Sequence, residues 1–405
     1  MTAPRFVCLT NIPTPYRLFQ FRLMHRELTR RGWKFEAWFM ARSEAGRDWT
    51  FEDCDFSFPH SFLYGRHWRI GSQSLHLNIE VLRRLLQHCP DIFLVSGSWT
   101  TPTVWIAAMS SAPSRTIFWS ESHLNSIQHD STAVNVARRL VLSRFHEFAV
   151  PGSLSKKYVL QYAQKARIYD LPNFVNPRMF CDESDQTKKL PRASLKPEQN
   201  LRKLLIVARL APEKGLLPFF RGLLALSGTD RRRLTLLIAG SGPMREELQQ
   251  RIRACDVNAH FVGYKTQVEI SELYAQADGF CLPSVSDPNP LSVIEALWAG
   301  LPLLLSSRVG NHPECLEQEK NGFLFDPLIP DSIAEAVSRW LELSDEQIGK
   351  FSDASSQIAQ QKFVPEHIIR NFLDQVLRSA TPRSEVFRPV EPERSELIRR
   401  SSSRL

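Results

Sequence analysis

Hydrophobic positions along this chain come as short β-rich runs separated by stretches in which apolar residues recur at helical spacing. That alternation predicts βαβ units on a parallel sheet. In the first half, residues 5–9 read as a buried strand, 17–31 as a helix and 34–40 as a strand. A helix over 75–88 is expected to lead into a strand at 91–95, with further strands at 116–119, 147–150 and 167–171. Together they make one doubly wound domain.

Residues 182–202, DESDQTKKLPRASLKPEQNLR, are polar, proline-punctuated and without periodicity, and read as a linker. The alternation then restarts, with strands at 204–208, 234–239, 260–262, 279–282 and 303–305. Helices are expected at 215–226, 243–255, 267–275, 332–343, 345–361 and 365–379. The expectation is an α/β protein of two doubly wound, Rossmann-like domains, residues 1–181 and 203–364, facing a central cleft at the carboxyl ends of their strands. Residues 365–380 are expected to form a helix packing back toward the first domain. The stretch 381–405, with six Arg, four Glu and three Pro, reads as a disordered basic tail.

At 405 residues the chain is long for one core, which supports the two-domain division. No apolar run is long enough to span a bilayer and no secretory leader is seen, so the expected location is the cytoplasm. The seven cysteines are scattered and never paired as C-x-x-C, which argues for reduced thiols rather than a disulfide framework or a zinc site. A net charge of +8 points to an anionic partner: nucleotide phosphates, an anionic membrane surface or nucleic acid. Nucleic acid ranks last, because no zinc-finger spacing, aromatic RNA-binding box or lysine-rich arm is present.

Candidate chemistry concentrates in SDPNPLSVIEALWAGLP, residues 286–302. Asp287 lies in a Pro/Asn-rich loop, and Glu295, eight positions on, one turn inside an apolar helix with Leu291, Ile294 and Leu297 toward a core. Two acids would reach one cleft from different backbone settings, although an ordinary helix with two solvated acids explains the spacing equally well. Arg209 and Lys214 in VARLAPEKG follow a strand and open a helix, a place where backbone N–H groups and side-chain cations suit a diphosphate; surface cations at a helix entrance are the plain alternative. Gly240 and Gly242 form a tight turn after the next strand, with Pro243 suited to a first helical position.

In order, VARLAPEKG, IAGSGP, FVGY, ADGFCLPSVSD, PLSVIEALWAGLPLL and NGFLFD resemble the donor half of the retaining glycosyltransferases of family 4, which have the GT-B fold. NIPTPYR, WSESHLNS and LPNFVNP match the first half of that family more loosely. The resemblance implies transfer of a sugar from a UDP- or GDP-sugar to a polysaccharide or glycolipid acceptor, with retention of configuration and no bound metal or other cofactor. It implies that Arg209 and Lys214 hold the diphosphate, Glu295 the ribose hydroxyls and Asp287 the donor sugar. The family usually has Glu at the position of Asp287, and Phe-Gly where Asn289-Pro290 stand. Proline offers no N–H, so a backbone contact would shift to Leu291 or Ser292. Gly263 and Tyr264 fall where the base is held. His123 falls near a histidine that faces the reacting sugar, with a structural histidine as the equal alternative; Glu121 is beside it, and Asn173 falls at the domain junction.

The loop 11–17 lies where relatives line the acceptor site, so Thr14, Tyr16 and Arg17 are candidates for an acceptor phosphate or sugar; a rigid structural turn explains it as well. Arg22, Arg26 and Arg30 share one helical face that could meet an anionic leaflet or simply be solvated. Seven of the nine tryptophans fall in the first domain and are expected to be mostly core, with stacking on an acceptor sugar as the alternative. Asp53-Cys54-Asp55 has a D-x-D form but lies far from the donor motifs. Two other functions fit the pattern: a GT-B nucleotide-sugar epimerase, and a catalytically silent subunit of a glycan assembly complex.

Overall fold

The computed structural model describes residues 3–44, 51, 55–70, 73–126, 131–181 and 201–378. Asp53 and Cys54, nearly all of the linker and the whole basic tail lie outside them.

The first sheet has seven parallel strands in the order β3-β2-β1-β6-β7-β8-β9, with β1 Arg5–Thr10, β2 Lys34–Phe39, β3 His60–Phe62, β6 Ile92–Ser96, β7 Arg115–Trp119, β8 Glu147–Val150 and β9 Arg167–Asp170. The second has six, β12-β11-β10-β13-β14-β15, with β10 Arg202–Val207, β11 Leu234–Ala239, β12 Asn258–Gly263, β13 Gly279–Leu282, β14 Leu303–Ser306 and β15 Gly322–Phe325. Strands buried on both faces need unbroken apolar runs, and β1, β6, β13 and β14 have them, as does β11 from Leu236 to Ala239. Each sheet therefore supports two cores. Phe6 and Cys8 face one in the first domain, Val7 and Leu9 the other. Leu204 and Ile206 face one in the second, Leu205 the other.

One expected element is different. The helix over 75–88 is a strand followed by a shorter helix: β5 Gln73–Leu77 pairs antiparallel with β4 Arg66–Ile70, and the helix is Glu80–His88. Leu75 and Leu77 have period two, which a window dominated by Leu82, Leu85 and Leu86 hides. Buried Asn78 makes the corner, its amide donating to the carbonyls of Met40 at 2.9 Å and Leu63 at 3.2 Å. β3, β15 and the short helices Gly228–Arg233 and His312–Cys315 are additions to the expected list.

The last helix, Pro365–Arg378, puts Ile368, Ile369, Phe372, Leu373 and Val376 into the first domain's core beside Leu28 and Tyr169. It crosses back onto the helix Pro15–Arg30, where Arg31 meets Asp374 at 2.6 Å and Arg26 meets Glu366 at 3.5 Å. Arg22, Arg26 and Arg30 are exposed along that helix, so its basic face is partly spent on local partners. Trp38 and Trp119 are core, whereas Trp68 and Trp105 are exposed. Burial pushes the thiols of Cys8, Cys255, Cys281 and Cys315 up. No helix among the described residues is long and apolar enough to cross a membrane.

Candidate active site

The carboxyl ends of both sheets open on one cleft of about 1330 Å³. Its second-domain wall is built from loops that leave β10, β11 and β13. The first carries Arg209 and Lys214, the second Gly240 to Pro243, and the third Asp287; Tyr264, just past β12, completes the wall. The first two loops touch backbone to backbone. Leu210 N–H donates to the Ser241 carbonyl at 2.8 Å, and Gly240 has a φ of +138°. A Cβ there would stand 1.9 Å from the Ala208 carbonyl oxygen, so this approach requires glycine.

The acids are not solvated. Asp287 is 6% exposed and Glu295 3%, which overturns the plain alternative for their spacing. Lys214 pairs with Asp287, whose Oδ2 also accepts from Ser284 at 3.4 Å. The loop is clamped from beneath, with Val285 and Ser286 N–H donating to the Glu213 carbonyl at 3.0 and 3.2 Å. Arg209 pairs with Glu213 and stays half exposed at the cleft.

Glu295 sits on the helix Leu291–Trp298, whose residues Val293 to Leu297 are all buried, so the carboxylate needs partners inside the protein. Tyr16 of the first domain donates to Oε1, and Tyr274 donates to Oε2 at 2.7 Å. Burial raises the Glu295 carboxyl, against the lowering by the two hydroxyls. Burial first and Glu295 second push both phenols up, which keeps them protonated donors. Tyr274 carried no signal in the sequence, because it lies in a helix with ordinary core spacing.

His123 does not line the cleft. Its ring is 1% exposed, and Nε2 donates to the Asp287 carbonyl at 3.2 Å. Burial, with the neighbouring His312, holds it below the usual histidine range despite that bond, so the ring is neutral at pH 7. The ring thus contacts the loop that carries Asp287. Gly310 closes the same spot: its N–H donates to the Asp287 carbonyl at 2.9 Å, and a Cβ would meet the Pro288 carbonyl oxygen at 1.7 Å. Asn173 spans the domains, its amide donating to Glu121 at 3.2 Å and to Asn289 at 3.1 Å. Gly263, Leu291 and Ser292 are not among the residues lining the cleft, and the Ser292 carbonyl is 3.0 Å from the Tyr274 hydroxyl.

On the first-domain wall, Thr14 caps the helix Pro15–Arg30 through its side chain, and Tyr16 and Arg17 line the cleft. The Arg17 guanidinium lies 3.9 Å over the Trp119 ring and 3.5 Å from Glu121, and burial lowers its pKa against the pull of that carboxylate. Arg138, also buried in this wall, lies over Trp99 at 5.1 Å. Arg138 was not singled out for the site by sequence pattern, and Trp99 entered only as one of the seven first-domain tryptophans offered for stacking on an acceptor sugar. Among the described residues no group of three or more His, Cys, Asp or Glu side chains is placed to hold a metal.

Residues 187–358 match the family model described as glycosyl transferases group 1. An uncharacterized glycosyltransferase of Methanocaldococcus jannaschii is 33% identical over 172 residues, 42% of this chain and 43% of that protein. The match thus spans less than half of that relative's length. The Campylobacter jejuni enzyme GalNAc-alpha-(1->4)-GalNAc-alpha-(1->3)-diNAcBac-PP-undecaprenol alpha-1,4-N-acetyl-D-galactosaminyltransferase is 23% identical over 292 residues, 72% of this chain and 76% of that one. Among solved structures, HepE of Anabaena in complex with UDP and glucose superposes with a TM-score of 0.69 at 16% identity, covering 93% of this chain and 100% of that chain. That likeness shows the fold, two Rossmann-like domains in the GT-B arrangement.

Proposed function

We propose that this chain, whose residues 187–358 match the family model of glycosyl transferases group 1, moves a sugar from a UDP- or GDP-sugar to a polysaccharide or glycolipid acceptor. The transfer retains configuration and uses no bound metal, as in the family 4 enzymes that the motifs resemble. The observation that carries this reading is the meeting of Lys214, Asp287 and Glu295 with the Gly240–Gly242 turn on one cleft wall.

In the reaction the bond from the anomeric carbon to the β-phosphate oxygen breaks and the acceptor oxygen bonds to that carbon from the same face. The acceptor's proton leaves on the diphosphate. Negative charge grows on the departing oxygen, and Arg209 and Lys214 supply the opposing charge a metal would otherwise give. Both cations now rest on carboxylates, so the diphosphate draws Lys214 from Asp287 and Arg209 from Glu213. Asp287 is then free to accept from donor-sugar hydroxyls, and Glu295 from the ribose. His123 and Gly310 hold the Asp287 carbonyl, which fixes the loop during the exchange.

We also assign the first domain to the acceptor and place the enzyme in the cytoplasm at a membrane. Two touching helices, Glu80–His88 and Pro102–Met109, expose Leu82, Leu86, Trp105 and Met109, with Arg83 exposed beside them. That apolar and basic surface supports an acceptor carried by an anionic bilayer.

The test is transfer by purified Lys214→Ala and Glu295→Ala proteins with circular dichroism matching wild type. Both should lose transfer, with wild-type activity surviving a chelator; wild-type rates in both variants would refute the assignment.

A further inference from the structure

Glu295 is the most enclosed acid of the cleft, and each of its oxygens is taken by a tyrosine from a different domain. Tyr274 belongs to the same domain as Glu295, is buried and sits 3.0 Å from the Ser292 carbonyl, so it is held from two sides. Tyr16 reaches across the cleft from the first turn of the helix Pro15–Arg30, where Thr14 and Pro15 fix the entry of the chain. Tyr16 lines both the main cleft and a second cavity of about 270 Å³, the latter also lined by Phe19, Asn176, Phe180 and Gln267. The ring thus has a neighbouring space to enter.

We propose that the Tyr16 hydroxyl is a stand-in for a ribose hydroxyl of the donor, and that donor binding exchanges the two. This rests on the reading of Glu295 as the ribose acid. A buried carboxylate without donors is costly, so the empty site needs a hydroxyl on Oε1, and the first domain provides one. An arriving ribose brings hydroxyls of the same chemistry to the same oxygen. The displaced Tyr16 then turns on the wall that carries Thr14 and Arg17, where the acceptor is held. Donor occupancy on one domain is thereby signalled to the acceptor wall of the other through a single side chain, and the donor binds before the acceptor site is complete.

The exchange makes an unusual prediction. Removing a hydroxyl that touches a ligand weakens binding, whereas removing one that competes with it strengthens binding. Titration calorimetry of the full chain with UDP and with GDP tests this for Tyr16→Phe and Tyr274→Phe. Tyr16→Phe should bind the preferred diphosphate about three- to tenfold more tightly than wild type, the size of one neutral hydrogen bond. Tyr274→Phe, which loses a donor that stays in place, should bind it more weakly. Unchanged or weaker binding by Tyr16→Phe, beside normal wild-type binding, overturns the exchange and leaves the donor-site reading standing. A wild-type protein that binds no nucleoside diphosphate overturns both.

Discussion

The cleft walls of the two domains are made at equivalent places, the carboxyl ends of parallel strands, from different materials. The second-domain wall is charged and locally cross-linked. Arg209 meets Glu213 one turn on, Lys214 meets Asp287, and the glycine turn after β11 lies against the loop after β10. The first-domain wall is aromatic and hydroxylic. It includes Thr14, Tyr16, Ser96, Ser98, Trp99 and Trp119, and its buried guanidiniums lie over indole rings. A diphosphate demands fixed charge and close backbone approach, which few short sequences provide. A glycan acceptor demands flat apolar faces and hydroxyls, which many sequences provide.

The largest effects should separate the two walls in catalysis. Lys214→Ala should lower kcat by about 100-fold or more, the scale of losing one charge-stabilising contact. Arg69→Ala, on the first-domain wall, should instead raise the KM for acceptor and leave donor binding unchanged. Equal losses of kcat in steady-state assays of both variants would erase the division of labour.

Backbone strain should divide the domains next. Gly240→Ala meets the Ala208 carbonyl in a left-handed region and should cost roughly 2–4 kcal/mol in urea unfolding. Gly32→Ala, at φ +76° in the first domain, has open space around its Cβ and should cost about 1 kcal/mol. Similar costs would mean that the tight approach of the donor loops is not needed for folding.

Acid should act on the seam between the domains. His123 and His312 are both held below the usual histidine range by burial, so the folded state binds fewer protons than the unfolded chain. Stability is therefore full above about pH 6.5 and falls as pH drops below it, by at most about 1.4 kcal/mol per unit for each histidine. Thermal melts from pH 7.5 to 5 should show this fall, and His123→Asn should flatten it. A slope unaffected by that substitution would locate the acid sensitivity elsewhere.

The smallest effect belongs to the basic face. Arg26→Ala removes an exposed pair with Glu366 and should shift stability by less than about 1 kcal/mol. Vesicle sedimentation should respond more to a Leu82→Ser, Leu86→Ser double variant than to Arg26→Ala, because the apolar pair lies on the exposed surface that would face the bilayer. The reverse order would return the membrane face to the arginines.

Much of the second domain was legible in the chain because its site depends on near neighbours. Arg209 and Lys214 lie five positions apart, and Asp287 and Glu295 share one loop and helix. The first domain was harder. The window over 75–88 mixes a period-two strand with a helix, and the hairpin exists because Asn78 binds the carbonyls of Met40 and Leu63, far off in sequence. His123 was visible as a candidate, but not its burial against the Asp287 loop.

The sequence by itself determined the alternation of strands and helices, the two sheets and the charged and glycine-rich donor loops, because period, turn chemistry and short-range spacing act within a few residues. Only the tertiary structure decided what each charged group faces. Lys214 rests on Asp287, His123 holds the Asp287 carbonyl, and Tyr16 crosses the cleft to Glu295, a partner 279 positions away. A buried carboxylate must be satisfied by whatever donors the packed domains bring to it, and that choice is made by packing rather than by local pattern.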